Sequence, residues 1–205
     1  PDTIEVNRIE LFMSKQSHHF IFYKFGSANP ASGFSPGLRN VYNDPNADIV
    51  SAWQFSLDLM LPAATAYQWE KSAVLDLNFH YINDNPDSIL AVDAFANIFT
   101  QPKKTAQSIM QSQLFPNLSI WIPCGDPCTP TTFTDPIYDG TSNDTMFIWL
   151  LSTHTHKYGT EFDIFLRNQD GSQGQKVFNG HYNTDYTFDQ GYYEWKHPPV
   201  EKFSS

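Results

Sequence analysis

The chain has 205 residues, a formal net charge of −10 and a pI near 4.9. With only 12 Lys and Arg it lacks the cations that neutralise phosphates, which argues against nucleic acid as a partner and equally against a basic membrane-binding surface. No apolar run approaches the roughly 20 residues that span a bilayer, so no membrane insertion is expected.

The content of 40% hydrophobic residues, with 17 Phe and 10 Tyr, supplies a core and favours strands over helices. Pro1 opens the chain without Met or a signal peptide, which reads as a processed or excised segment. In chain order, residues 4–13 begin with apolar–polar alternation and read as a strand. Residues 14–17 are a turn, and 18–25 form a second strand that opens on His18-His19. Residues 26–45, rich in Gly, Pro, Asn and Ser, are loop. Residues 49–61 fit either a strand or a short helix through Val50, Trp53, Phe55 and Leu57. Residues 73–82 form the clearest strand of the first half: Leu75, Leu77, Phe79 and Tyr81 share one face, and Asp76, Asn78 and His80 the other.

Residues 89–100 and 118–122 read as further apolar strands. Residues 124–136, rich in Pro and Thr, mark the expected domain boundary. Met146-Phe147-Ile148-Trp149 reads as a buried strand leading into His154-Thr155-His156. Residues 161–166 alternate again, 168–174 make a hairpin-type turn, and 176–178 continue as strand. Residues 185–203 are aromatic and irregular. Strand after strand with closely spaced turn signals predicts an all-β chain of two antiparallel β-sandwich domains, jelly-roll-like in type. The first is expected over residues 1–125. The second, over 126–205, is short for a sandwich of about 100 residues and is expected to be incomplete.

The two cysteines, Cys124 and Cys128, flank Gly125-Asp126-Pro127, a spacing that permits a small loop disulfide. No second Cys pair completes a zinc site, so a disulfide and an oxidising, secreted or cell-surface location are expected. Asn117-Leu118-Ser119 and Asn143-Asp144-Thr145 are glycosylation sequons.

His18, His19, His80, His154 and His156 fall in three compact groups on or at the ends of expected strands. Residues i and i+2 of a strand share a face roughly 6–7 Å apart, so His154 and His156 project the same way and suit one metal ion; Gly159 lets the chain turn beyond them. Adjacent strand residues point to opposite faces, so His18 and His19 reach one ion only at a strand start or a bulge. His80, on a polar face with Asn78 and Asp76, offers a further nitrogen, and Asp76 is an alternative acceptor that orients an imidazole. A lone H-x-H or a lone His is more often structural; the weight lies in the three groups together. Imidazoles without thiolate favour copper or zinc. His181 follows Asn179-Gly180, a dipeptide that signals a tight turn, and is expected to be exposed; His197 is expected to be structural. The P-loop, H-E-x-x-H and dinucleotide fingerprints are absent from the sequence, and the carboxylates read as solvated surface.

Ser17-His18-His19-Phe20, Leu77-Asn78-Phe79-His80-Tyr81 and His154-Thr155-His156-Lys157-Tyr158-Gly159 follow one another in an order that resembles the copper type II, ascorbate-dependent monooxygenases. These are enzymes of the peptidylglycine α-hydroxylating and dopamine β-monooxygenase type. The run Tyr192-Tyr193-Glu194-Trp195-Lys196-His197-Pro198 extends the resemblance. It implies two β-sandwich domains with one copper each. His18, His19 and His80 would ligate an electron-storing copper, and His154 and His156 an oxygen-binding one that hydroxylates a C–H bond of a small-molecule substrate, with ascorbate as the reductant. Three departures stand out. The family's Met ligand has no counterpart after His156, since the four methionines are Met13, Met60, Met110 and Met146. Ser152 stands where amidating members carry an Arg, which disfavours a peptide carboxylate as substrate. The family's dense disulfide framework shrinks to Cys124–Cys128. The competing readings are a noncatalytic β-sandwich module that keeps the fold, and a zinc site in a hydrolytic jelly-roll enzyme.

Overall fold

The computed structural model of the chain describes residues 2–14, 17–25, 47–53, 56–81, 83, 85–113, 120–121, 131–135, 145–151, 161–181 and 201–204. Among these the protein is all-β, as its composition predicts, and no helix is long and apolar enough to cross a membrane. The chain divides into two compact units, Pro1–Leu114 and Phe115–Ser205, where the sequence places a boundary at 125/126.

In the first unit, β1 (Thr3–Met13) is the spine of one sheet. On one side, β4 (Leu57–Met60) and β5 (Thr65–Glu70) take successive stretches of it; on the other, β7 (Ala94–Gln101) runs antiparallel from Glu5 to Met13. The short β8 (Ser108–Ile109) adds to β5 in parallel. The second sheet has the order β3 (Ala47–Trp53), β2 (Ser17–Phe25), β6 (Val74–Tyr81), all antiparallel. The ambiguous stretch 49–61 therefore resolves into two strands, β3 and β4, with no helix among its described residues. The apolar run from residue 89 becomes strand only at Ala94, and Ile89 is fully exposed. Ile120 and Trp121, expected within a strand, lie outside any strand and are exposed.

The apolar residues of β2 pack on both faces. Phe20 and Phe22 are fully buried with Trp53, and the Phe22 ring meets Trp69 of β5 edge-on at 5.9 Å, which ties the two sheets together. On the opposite face, Tyr23 and Phe25 form a second buried cluster with Ile21, Ala47, Ile49 and Val74. Lys24, whose side chain is 12% exposed, pairs with Asp48 at 2.8 Å and lies 3.9 Å from Glu70 of the other sheet. A second buried charge closes the end of the β1 sheet. Glu5, 4% exposed, accepts backbone N–H bonds from Lys104 (2.5 Å), Thr105 (3.2 Å) and Ala106 (2.9 Å), and a side-chain bond from Gln101 at 3.0 Å. Lys104 takes a left-handed φ of 62° to present its N–H.

The second unit contains β9 (Thr145–Ile148), β10 (Glu161–Arg167), β11 (Gln173–His181) and β12 (Glu201–Ser204), paired as β9–β12 and β10–β11. The expected hairpin is present: Asn168 and Ser172 close it at 2.9 Å, Asp170 accepts from the Ser172 N–H, and Gly171 supplies φ +83°. Three expectations change here. Phe147 of β9 is 61% exposed, so among the described residues β9, paired with β12, is not buried at this position as expected. Asn179-Gly180 is no turn: both residues lie inside β11, opposite Asp163 and Phe162, where the ladder with β10 overrides the local dipeptide preference. Residues 201–203, read as irregular, lie in β12.

Two consequences are measurable. Replacing Phe22 by Ala removes a fully buried ring from the junction of the sheets and should cost about 3–5 kcal/mol in urea unfolding. The Glu5 carboxyl is held at about 2, below its ordinary 4.5, first by the Gln101 side-chain bond and then by the backbone donors. A depressed carboxyl stabilises the fold above its unfolded pKa and loses that contribution as pH falls through the folded one. Stability against unfolding should thus decline from pH 4.5 towards 2, and Glu5→Gln should flatten that decline while lowering stability at neutral pH.

Candidate metal centre

β2 and β6 pair in a register that sets His19 directly opposite His80. From His19 to Phe25 the ladder is unbroken, so His19, Ile21, Tyr23 and Phe25 share a face with His80, Asn78, Asp76 and Val74. The face changes character along its length. Its Phe25 end is the buried Tyr23–Phe25 cluster, and its His19 end is polar, with His80 and Asn78 exposed. The alternation expected along β6 is therefore present, with Leu75, Leu77 and Phe79 on the other face.

At that polar end the two imidazoles lie edge to face, with ring centroids 5.4 Å apart and planes 69° from parallel. Two imidazoles on one ion, each at a metal–nitrogen distance of roughly 2.0–2.1 Å, have ring centres roughly 6 Å apart or less, so this spacing is compatible with a shared metal. The His19 Nε2 donates to Asn78 Oδ1 at 3.0 Å. Asn78, one diagonal step from His19, is thus an acceptor that orients this imidazole.

Ser17 pairs with Tyr81 while His19 pairs with His80, so β2 carries one more residue than β6 across this step. That extra residue is His18. The bulge is the arrangement that adjacent histidines require if both are to serve one side of a strand. The His18 side chain lies outside what is described, as do His154, His156, Ser152, Cys124, Cys128, His197 and the sequons' asparagines. Among the described residues no group of three or more His, Cys, Asp and Glu is gathered to hold a metal, and His19 and His80 make a pair.

The end of β6 is fixed to the neighbouring sheet. The Tyr81 hydroxyl donates to the Asp93 carbonyl at 2.8 Å. Asp93 in turn exchanges bonds with Ser14: the Ser14 N–H donates to the Asp93 carbonyl at 3.0 Å, and the Asp93 N–H to Ser14 Oγ at 2.9 Å. Burial holds the Tyr81 phenol above its ordinary range. These bonds lock the strand ends that carry the histidines. They involve Ser, Tyr and a backbone carbonyl, a signal too generic to be read from sequence.

A groove of about 440 Å³ on the β1 sheet runs between Phe12, Phe95, Glu10, Asp58 and Asn97. Its carboxylates are already engaged: Arg8 grips Asp58 through two bonds of 2.7 and 2.8 Å, and Asn97 donates to Glu10 at 3.0 Å. Comparison of the chain with protein families, curated proteins and solved structures finds no match.

Polar residues open to solvent at a sheet end contribute little to folding. His80→Ala, at an exposed position, should lie within about 0.5 kcal/mol of the parent in urea unfolding, and His19→Ala, half-buried and bonded to Asn78, should cost about 1 kcal/mol. Phe20→Ala, one residue along and fully buried, should lose about 3–5 kcal/mol. A large loss at either histidine would mark the pair as structural.

Proposed function

We propose that the chain is a copper protein of the ascorbate-dependent monooxygenase type, hydroxylating a C–H bond of a small-molecule substrate. The observation that carries this reading is the His19–His80 cross-strand pair beside the bulge at His18. The donor set fits the ion: imidazoles without thiolate, solvent access, and an oxygen acceptor on the far nitrogen of His19 suit copper or zinc. On this reading His18, His19 and His80 hold one copper, and His154 and His156, two residues apart, supply two nitrogens to another. Copper bound in these sites would carry electrons from ascorbate to dioxygen. The chain's own residues bind and orient: the β2–β6 ladder fixes the separation of His19 and His80, Asn78 fixes the rotation of the His19 ring, and Tyr81 pins the strand end to Asp93. An acidic chain with Ser152 before the H-T-H motif favours a substrate without a carboxylate.

The finer architecture belongs to the same reading. Each unit is taken as an antiparallel, jelly-roll-like β-sandwich, and the Phe22–Trp69 contact between two sheets supports this for the first. A Cys124–Cys128 disulfide and a secreted or cell-surface location complete the proposal.

Copper analysis of the loaded and dialysed full chain tests it. Copper should be retained, with nitrogen-only ligation at the first site by X-ray absorption, and His80→Ala should lose that signal. With the ion at about 100 times its Kd, the parent should gain about 2.7 kcal/mol against unfolding. A chain that retains no copper sinks the proposal. Zinc retained in preference points to the hydrolytic alternative, and copper without ascorbate-driven oxygen uptake points to the noncatalytic module.

A further inference from the structure

We propose that β7 is a self-association edge, through which two copies of this chain pair antiparallel into one continuous sheet. Among the described residues β7 pairs with β1 alone, so the backbone groups along its other side are open to a further strand. Its sequence, Ala94-Phe95-Ala96-Asn97-Ile98-Phe99-Thr100-Gln101, contains no charge, no Pro and no Gly, the residues that ordinarily guard an edge. The other edge strands of the first unit are guarded or short: β3, β4 and β6 carry Asp48, Asp58 and Asp76, and β8 has two residues. The side chains of β7 are propped from the β1 side. Phe12 stacks on Phe95 with ring centroids 4.9 Å apart, and the Arg8 guanidinium lies 4.4 Å from the Phe99 centroid. Both β7 rings nevertheless remain part-exposed, at 49% and 37%.

The symmetry of the strand itself selects a second copy as the occupant. Phe95 and Phe99 stand two residues to either side of Asn97. A two-fold axis through Asn97, perpendicular to the sheet, sets Phe95 opposite Phe99 of the second copy, and the operator repeats that aromatic pair on the other side of the axis. The same register sets Ala96 opposite Ile98, so outer residues meet outer residues and inner meet inner. Charge follows the same reversal. The exposed Asp93 precedes β7, and the exposed Lys103 and Lys104 follow it, so the acidic start of one strand comes to the basic end of the other. Each copy has one β7, so the pairing closes at two. A ladder of this length makes a small interface, and the dimer is weak and reversible.

The pairing needs no metal, so it goes beyond the copper reading and is tested with chelator present. Sedimentation of the full chain is followed up to about 1 mM, the range in which weak complexes populate, in about 0.15 M salt, which screens the net negative charge of the two copies. The mass should rise from 23.4 kDa towards twice that value and stop there. Hydrogen exchange should slow in residues 94–101 as the dimer forms. Asn97→Lys places like charges opposite each other on the axis and should weaken the dimer about 10-fold, while urea unfolding of the dilute protein shows that it folds. Should that variant not fold, Asn97→Cys decides. Opposed Cα atoms about 4.5–5.5 Å apart lie within disulfide reach, so mild oxidation should cross-link this variant into dimers well beyond the parent or Asn85→Cys, at an exposed position off β7. A chain that stays monomeric throughout overturns the proposal. So does a dimer that leaves β7 exchange unchanged or is indifferent to Asn97→Lys, and so does growth past two copies.

Discussion

The central constraint on the first unit is the pairing of β2 on both of its edges. Held between β3 and β6, this strand has no freedom to rotate, and its alternation is imposed on everything it touches. Once Phe22 is committed to the junction with Trp69 and Phe20 to the same buried face, Ile21, Tyr23 and Phe25 must face the other way, and His19 with them. The energy of burying large rings thus determines where an imidazole points, though the imidazole contributes little to that energy itself. A core residue and a candidate ligand occupy neighbouring positions and are separated only by the pleat.

That arrangement suits a metal edge. The apolar cluster around Tyr23 and Phe25 ends where His19, His80 and Asn78 begin, so the candidate ligands stand on a rigid sheet with water available to them. Rigidity comes from the ladder and from the Tyr81–Asp93–Ser14 bonds, which secure β6 and β1 to each other at the same end of the unit. Ligands held in this way lose little conformational freedom on meeting an ion, which is the condition for tight and selective coordination.

Much of this was legible in the sequence, and the reasons differ from element to element. β6 announces itself because its two faces differ, so Leu75, Leu77 and Phe79 alternate cleanly with Asp76, Asn78 and His80. β5 does not, because Ala66, Tyr67 and Trp69 are all buried and leave no period of two to detect. Residues 49–61 hide a strand break within an apolar stretch that also suits a helix. Asn179-Gly180 misleads because a two-residue preference of order 1 kcal/mol yields to a ladder of several bonds with β10. The histidine groups were visible as composition, and the condition for His18 and His19 to act together, a strand start or a bulge, followed from geometry alone. What no local pattern contains is register. That His19 meets His80, and that Asn78 accepts from the His19 ring, depends on how residues 59 positions apart in the chain slide against one another. The long connection between β2 and β6 leaves that alignment to side-chain packing.

The bulge at His18 has a consequence for how such a protein changes over time. In a regular strand, inserting or deleting one residue inverts every side chain beyond it, so a surface cannot be edited without scrambling the interior. The extra residue between Ser17 and His19 absorbs the mismatch before the unbroken ladder from His19 to Phe25 begins. Residues upstream of it can be lengthened, shortened or exchanged while Phe20 and Phe22 keep their places. The rim and the core are thereby made separately heritable: variation at one end can explore new chemistry, and selection at the other continues to preserve the fold.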